Sequence, residues 1–126
     1  MRTRTWIPAL AFLILALPAV AADISGKWTA SFDTQVGQQK YTFDLKADGE
    51  KLTGKASFER MGQTGVADLL EGKVVGDEVS FVETFDAMGT VVRIEYTGKL
   101  KGDEIAFTRK VGDFGTEQFV ATRVKN

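Results

Sequence analysis

A small set of ionisable and hydroxyl side chains lies on the predicted inner faces of β-strands, in a chain whose sequence alternates as strands do. Asp68, Glu83 and Arg109 interrupt apolar runs at positions that strand alternation assigns to the interior, and the hydroxyls of Tyr41 and Tyr96 fall on the same face. Charges that are buried without partners are costly. These groups must therefore pair with each other, meet water or meet a ligand.

Catalysis finds little support among these residues. The chain contains no histidine and no cysteine, which removes the common nucleophilic dyads, thiolate metal sites and disulfides. Asp68 and Glu83 could imitate the carboxylate pair of a glycosidase, but no motif accompanies them. The repeated Gly-Asp-Glu tripeptides lack the clustered spacing of a metal site. We therefore predict a protein that is not an enzyme and that carries no metal and no cofactor.

Two interpretations of the interior remain open. In the first, a pocket with an apolar floor and a polar, charged mouth binds one small molecule. In the second, Glu83 and Arg109 form an internal ion pair that fills the barrel. A bulge that inverts the alternation would change both interpretations, because other side chains would then face inward. Thr34 and Arg60 could join the polar mouth. The ligand-binding residues that the first interpretation predicts are Tyr41, Phe43, Phe58, Asp68, Phe81, Glu83, Tyr96, Phe107 and Arg109.

The first residues indicate a secretory signal. Two arginines near the start supply positive charge, residues 7–17 form an apolar stretch too short to span a bilayer, and Ala19-Val20-Ala21 offers a cleavage site. We predict a signal peptide over residues 1–21, with cleavage after Ala21 or after Ala22, and a single domain over residues 22–126. The predicted location is periplasmic or secreted.

Hydrophobic alternation with a period of two predicts strands throughout this domain and no helix. Gly-Asp and Asp-Gly turns separate the strands, and the hairpin around Gly76-Asp77 recurs 26 residues later around Gly102-Asp103. Short, even connections of this kind favour an antiparallel meander. The eight predicted strands span residues 24–34, 38–47, 51–60, 65–75, 78–86, 90–101, 104–111 and 116–125.

One face of each predicted strand is apolar or small and the other is polar. Eight meandering strands with one buried face form a closed barrel or a two-sheet sandwich, and the absence of a long crossover connection favours the barrel. We therefore predict an all-β, eight-stranded antiparallel up-and-down β-barrel. Its polar outer face predicts no insertion into a membrane as a barrel.

Net charge also limits the classes of partner that the protein can bind. Removal of the two leader arginines from the 16 basic residues leaves 14 against 17 acidic ones, which is a net charge near −3. The charges are interspersed and form no basic stripe, so we predict no binding to nucleic acid.

The first strand of the domain resembles the opening of the calycin superfamily, which includes lipocalins and avidins. Gly26-Lys27-Trp28 matches the Gly-x-Trp motif, residues 47–54 look like the second hairpin of avidin-type barrels, and Arg123 stands in the last strand. The chain also resembles small β-domains of exported bacterial proteins. The calycin resemblance implies a barrel closed at one end by Arg123 lying across Trp28. Ala30 and Thr34 stand where avidins carry ligand-binding Asn and Ser, so biotin is not the expected ligand.

The predicted function is an exported barrel that binds a small amphipathic ligand in its interior without catalysis. The Gly-Asp turns share one rim with Trp28, whereas longer Gly-rich loops meet at the other rim, where a ligand would enter. The alternative is a filled barrel that acts as an interaction module and binds a polysaccharide or another exported protein through its loops or outer face. The sequence leaves the oligomeric state open.

Overall fold

The computed structural model describes residues 23–125, so the predicted signal peptide lies outside the described residues. The chain forms antiparallel strands joined by tight turns. Within this part of the chain, no helix has the length and apolar character that a membrane-crossing helix needs. The strands are β1 (Gly26–Thr34), β2 (Gly37–Asp48), β3 (Lys51–Arg60), β4 (Gln63–Asp68), β5 (Leu70–Val75), β6 (Glu78–Ala87), β7 (Thr90–Lys101), β8 (Glu104–Val111) and β9 (Gly115–Arg123).

The strands close into one barrel with eight strand positions, which confirms the predicted fold class. Neighbours pair in chain order, and β1 also pairs with β9 through Trp28 and Arg123 to close the circle. β4 and β5 share a single position, because β3 pairs with β4 along its second half and with β5 at Lys51. The inward positions are apolar or small and the outward ones are mostly polar, as alternation requires.

A β-bulge at the start of β5, opposite β6, inverts the alternation relative to β4. Leu69 is buried, whereas Leu70 and Glu71 both face outward, and Glu71 has a left-handed φ of 54°. The prediction that placed Asp68 on the inner face is therefore wrong. The side chain of Asp68 is 70% exposed and pairs with Lys55 on the outer face of the barrel.

The same irregularity leaves a gap in the barrel wall. β6 pairs with β5 no further than Val82, so its second half pairs with β7 alone, while β4 pairs with β3 alone. Arg60 lies across this gap. Its guanidinium carbon is 3.9 Å from the ring centre of Phe58 on β3 and 5.1 Å from that of Phe85 on β6. Both are cation–π contacts.

Arg123 covers the end of the barrel that holds Trp28. Its guanidinium carbon lies 4.3 Å from the indole ring centre, and its nitrogens donate to the backbone carbonyls of Asp23 and Ser25 at 2.7 and 3.1 Å. It also donates to the carboxylate of Asp103 at 3.1 Å. One side chain therefore ties the first and last strands to a turn of the same rim.

Aromatic rings fill the half of the interior next to this closed end. The ring centre of Phe43 lies 5.6 Å from that of Phe81 and 5.7 Å from that of Phe107. All three residues are buried. Rings at this separation are in contact, so this half of the barrel is a side-chain core.

The seven hairpin turns divide between two rims. The closed rim carries the turns β2–β3, β5–β6 and β7–β8 together with Arg123. The open rim carries the turns β1–β2, β3–β4, β6–β7 and β8–β9, at residues 35–36, 61–62, 88–89 and 112–114.

Candidate ligand-binding site

Four buried side chains form a polar layer across the barrel, above the aromatic half. The polar layer consists of Tyr41 on β2, Glu83 on β6, Tyr96 on β7 and Arg109 on β8, all on inward positions. It rests on the aromatic core, since the ring of Tyr96 stacks on that of Phe81 with centres 4.7 Å apart. Alternation along four different strands thus delivers one ring of polar groups at one level.

Each tyrosine hydroxyl links Arg109 to Glu83. Arg109 donates from Nε to the hydroxyl of Tyr96 at 2.9 Å and from Nη2 to that of Tyr41 at 3.1 Å. A guanidinium can only donate hydrogen bonds, and a hydroxyl has a single hydrogen. Each hydroxyl therefore accepts from Arg109 and donates its own hydrogen bond to Glu83. The distances to the carboxylate are 2.7 Å from Tyr96 and 3.1 and 3.2 Å from Tyr41.

Two charged side chains flank the layer on the side of the open rim. Arg109 Nη1 lies 2.6 Å from Oε1 of Glu117, its cross-strand partner on β9. Arg60 donates from Nη1 to the hydroxyl of Tyr41 at 3.1 Å, and its Nη2 lies 4.0 Å from Glu83. Two guanidinium groups and two carboxylates therefore balance each other in this part of the interior.

Burial sets the protonation state of the layer. Desolvation, followed by the charge of Glu83, raises the pKa of Tyr41 and raises the pKa of Tyr96 well above its ordinary value. Burial alone would lower the pKa of Arg109, but the charge interactions with Tyr96 and Tyr41, followed by its hydrogen bonds with Tyr96 and Glu117, outweigh that effect and raise the pKa. At neutral pH the tyrosines are thus neutral donors and Arg109 is a cation.

A cavity of about 700 Å³ lies between the polar layer and the open rim. Residues from the open-rim hairpins line it, and their exposure separates a deep end from a mouth. The deep end is polar and comprises Gln39, Arg60, Arg109 and Glu117. The mouth is mixed: the exposed apolar side chains of Val36, Met61 and Phe114 stand beside the exposed polar ones of Asp33, Gln35, Gln63 and Thr116, while Phe85 and Val111 are half-buried.

The floor of this cavity differs from the predicted one. An apolar floor and a polar mouth were expected, but Phe43, Phe81 and Phe107 lie in the packed aromatic core on the far side of the polar layer. Phe58 lies beneath the guanidinium of Arg60, in partial contact with the core. Of the nine predicted binding residues, Arg109 lines the cavity itself, whereas Tyr41, Glu83 and Tyr96 support its floor.

Two residues of the deep end were not predicted. Glu117 and Gln39 share inward parity with Phe119 and Tyr41, two positions further along their strands, so alternation marks both as interior. Nothing else in the sequence singles out a Glu or a Gln near a strand end. A polar residue at an inward position of a strand is the signal from which both could have been predicted.

Gln39 holds an acceptor that lacks a partner. It is buried, and its Oε1 has no hydrogen-bond partner among the described residues. Its Nε2 faces the hydroxyl of Thr34 at 3.4 Å, and that hydroxyl donates its proton to the carbonyl of Gly37 at 2.8 Å. Thr34 can therefore only accept from Gln39, which fixes the amide with Oε1 as the unpaired atom. A buried acceptor without a partner is uncommon in folded proteins and is a cost to folding.

Metal-ligating chemistry is sparse in this part of the chain. Within residues 23–125 no group of three Asp or Glu side chains is arranged to hold a metal ion. The arrangement instead offers guanidinium donors at the deep end and exposed apolar side chains at the mouth.

Comparisons with known proteins show the fold but no family. No protein-family model matches the sequence, and no curated protein matches it significantly. A solved structure titled "REP1-NXSQ fatty acid transporter" superimposes with a TM-score of 0.51 over 84% of this chain and 99% of that chain, at 16% sequence identity. At this identity the similarity shows a shared barrel fold. The resemblance to calycins stays a prediction.

Proposed function

We propose that this protein is an exported, non-catalytic barrel that binds one small amphipathic molecule in the cavity of the open rim. The observation that carries the proposal is the cavity itself, with the guanidinium groups of Arg60 and Arg109 at its deep end and the exposed apolar side chains of Val36, Met61 and Phe114 at its mouth. A cavity of about 700 Å³ falls within the usual size of a small-molecule site, roughly 300–1,000 Å³. The polar group of the ligand would lie deep and its apolar part would point outward.

The deep end selects the chemistry of the polar group. Arg60 lines the cavity and makes one short hydrogen bond, to Tyr41, so further N–H groups remain for an acceptor such as a carboxylate. A carboxylic acid would supply that acceptor. The structural neighbour titled as a fatty acid transporter supports testing fatty acids first.

The experiment compares binding of medium-chain fatty acids and their 3-hydroxy derivatives by isothermal titration calorimetry. Arg60→Met keeps the length of the side chain and removes the charge. We expect it to weaken binding by at least about tenfold, since a hydrogen bond to a charged group contributes roughly 1.5–3 kcal/mol. The matched control is Arg93→Met, because Arg93 is an exposed arginine paired with Glu71 on the outer face.

The outcomes separate the proposal from its alternative. Binding that weakens with Arg60→Met but not with Arg93→Met supports a site at the deep end. Equal affinities in both variants, or no heat with any acid, would refute the amphipathic-ligand proposal. The filled aromatic half would then make the interaction module the better reading.

A further inference from the structure

Each of the four hairpins of the open rim ends in an exposed apolar side chain. We name these residues, Val36, Met61, Met88 and Phe114, the apolar tips. Val36 is 60% exposed, Phe114 72% and Met61 74%, and Met88 is fully exposed. A single exposed apolar residue is ordinary, but one at every turn of the same rim forms a pattern.

The closed rim shows the opposite chemistry. Its turns carry charged residues, as in Asp48-Gly49-Glu50-Lys51, Gly76-Asp77-Glu78 and Lys101-Gly102-Asp103-Glu104. The open-rim segments 35–38, 61–64, 87–90 and 112–115 contain a single charge, that of Asp113. The barrel is therefore polarised along its axis, with one charged end and one nearly uncharged, apolar end.

Two of the tips occupy a backbone conformation that disfavours their own side chain. Met61 and Met88 have φ of 53° and 56°, and the glycines that follow them also have positive φ. Two consecutive positive φ values define a type I′ hairpin turn, for which Asn-Gly is strongly preferred. Methionine at this position is strained and exposes apolar surface, so it serves neither the turn nor solubility. This favours a role for the methionines in contact with another surface.

We propose that the open rim docks on a neutral lipid bilayer, with the apolar tips inserted among the headgroups. The tips are single exposed apolar side chains at the ends of hairpins, as shallow insertion into a bilayer interface requires. Near the mouth, the carboxylates of Asp33, Asp113 and Glu117 are largely balanced by Arg60 and Arg109, so the rim carries little net charge and the surface that fits is zwitterionic.

Docking in this orientation places the cavity mouth against the lipid. Val36, Met61 and Phe114 are both tips and lining residues of the cavity. A second copy bound through the same rim would cover the mouth, whereas a bilayer would leave it facing a source of amphipathic molecules. The choice of a bilayer over a second copy therefore rests on the proposed ligand-binding function, although binding to the surface can be measured without any ligand.

The test is co-sedimentation with phosphatidylcholine vesicles, using protein purified from an exporting host with its N-terminus established by intact mass. The rim variant is Met61→Asn with Met88→Asn, which removes two apolar tips and supplies the residue that the turns prefer. This variant should fold at least as well as the unmodified chain. The matched control is Val75→Ser with Val120→Ser, because both valines are exposed on strands, away from the open rim.

We expect the unmodified chain and the control to bind neutral vesicles, and the rim variant to bind at least about tenfold more weakly. Absence of binding by the unmodified chain, or equal binding by the rim variant, would overturn the proposal. Binding confined to vesicles with anionic lipid would overturn it too. So would a dimer, detected by analytical ultracentrifugation, that the rim variant dissociates, since the rim would then be a self-association surface. None of these results changes the calorimetric test of Arg60, so the two proposals fail separately.

Discussion

Removal of the Tyr96 hydroxyl provides a quantitative test of the polar layer. Tyr96→Phe leaves the ring in place, stacked on Phe81 with centres 4.7 Å apart, so packing is nearly unchanged. The hydroxyl is lost together with its bond to Glu83 at 2.7 Å and its bond from Arg109 at 2.9 Å. Both partners are charged and buried, and each lost bond of this kind costs roughly 1.5–3 kcal/mol. We expect the free energy of unfolding to fall by about 3–5 kcal/mol.

Urea unfolding followed by far-UV circular dichroism measures this change. With a slope of roughly 1–2 kcal/mol per molar for a domain of this size, the midpoint should fall by at least about 1.5 M. Because Tyr96 acts through Glu83, a double-mutant cycle with Glu83→Gln should show coupling of at least about 1 kcal/mol. A loss below about 1 kcal/mol, or additive effects, would refute the reasoning, because water would then be replacing the hydroxyl in a layer that is not dry.

Three further changes test other parts of the structure. The pKa values of Tyr41 and Tyr96 are raised in the folded state, so the unfolded state loses these protons at a lower pH. The free energy of unfolding should therefore be unaffected by the two tyrosines below pH 10 and should fall as the pH rises above about 10. In the variant with Phe at both positions, urea midpoints measured across that range should lose this tyrosine-dependent part. Gly72→Ala places a Cβ 2.0 Å from the carbonyl oxygen of Leu52 and should lower the thermal midpoint by the equivalent of about 2–3 kcal/mol. Gly115→Ala is the control, because a Cβ there has its nearest neighbour at 3.9 Å. This control should change the thermal midpoint by the equivalent of less than about 0.5 kcal/mol. Met88→Asn should raise the free energy of unfolding by about 1 kcal/mol, measured by the same urea titration, and a loss would show that the methionine packs in the turn.

The sequence predicted the fold because strand alternation and turn residues are local signals. The missed bulge shows where such signals fail. Leu69 and Leu70 are both apolar, so a period of two can be continued through either residue, and the prediction followed the one that led Asp68 inward. The structure buries Leu69 and exposes Leu70, and only the pairing with β6 reveals the change of phase.

The location of the site was less predictable than its members. Alternation assigns a residue to the inside of the barrel, but its height along the axis depends on the stagger between strands, which no single strand encodes. Phe43 and Tyr41 are neighbours on the same inner face, yet one belongs to the closed core and the other to the layer beneath the cavity. Because the sequence does not give this height, it did not predict that the polar layer forms the floor of the cavity. The prediction that the polar groups pair was sounder, since buried charges must be satisfied wherever they lie.

The composition of the polar layer itself bears on function. A buried ionic network is rarely the most stable way to fill a core, because apolar residues of similar volume often do as well or better. Here the aromatic half shows that the chain can fill a barrel with rings, and Tyr41 and Tyr96 already supply two rings at the level of the layer. If stability were the sole requirement, Glu83 and Arg109 would serve no purpose that further apolar residues could not. Arg109 is instead held charged at the floor of a cavity. That buried charge is a cost to folding that a bound molecule with an acceptor for the guanidinium group would offset.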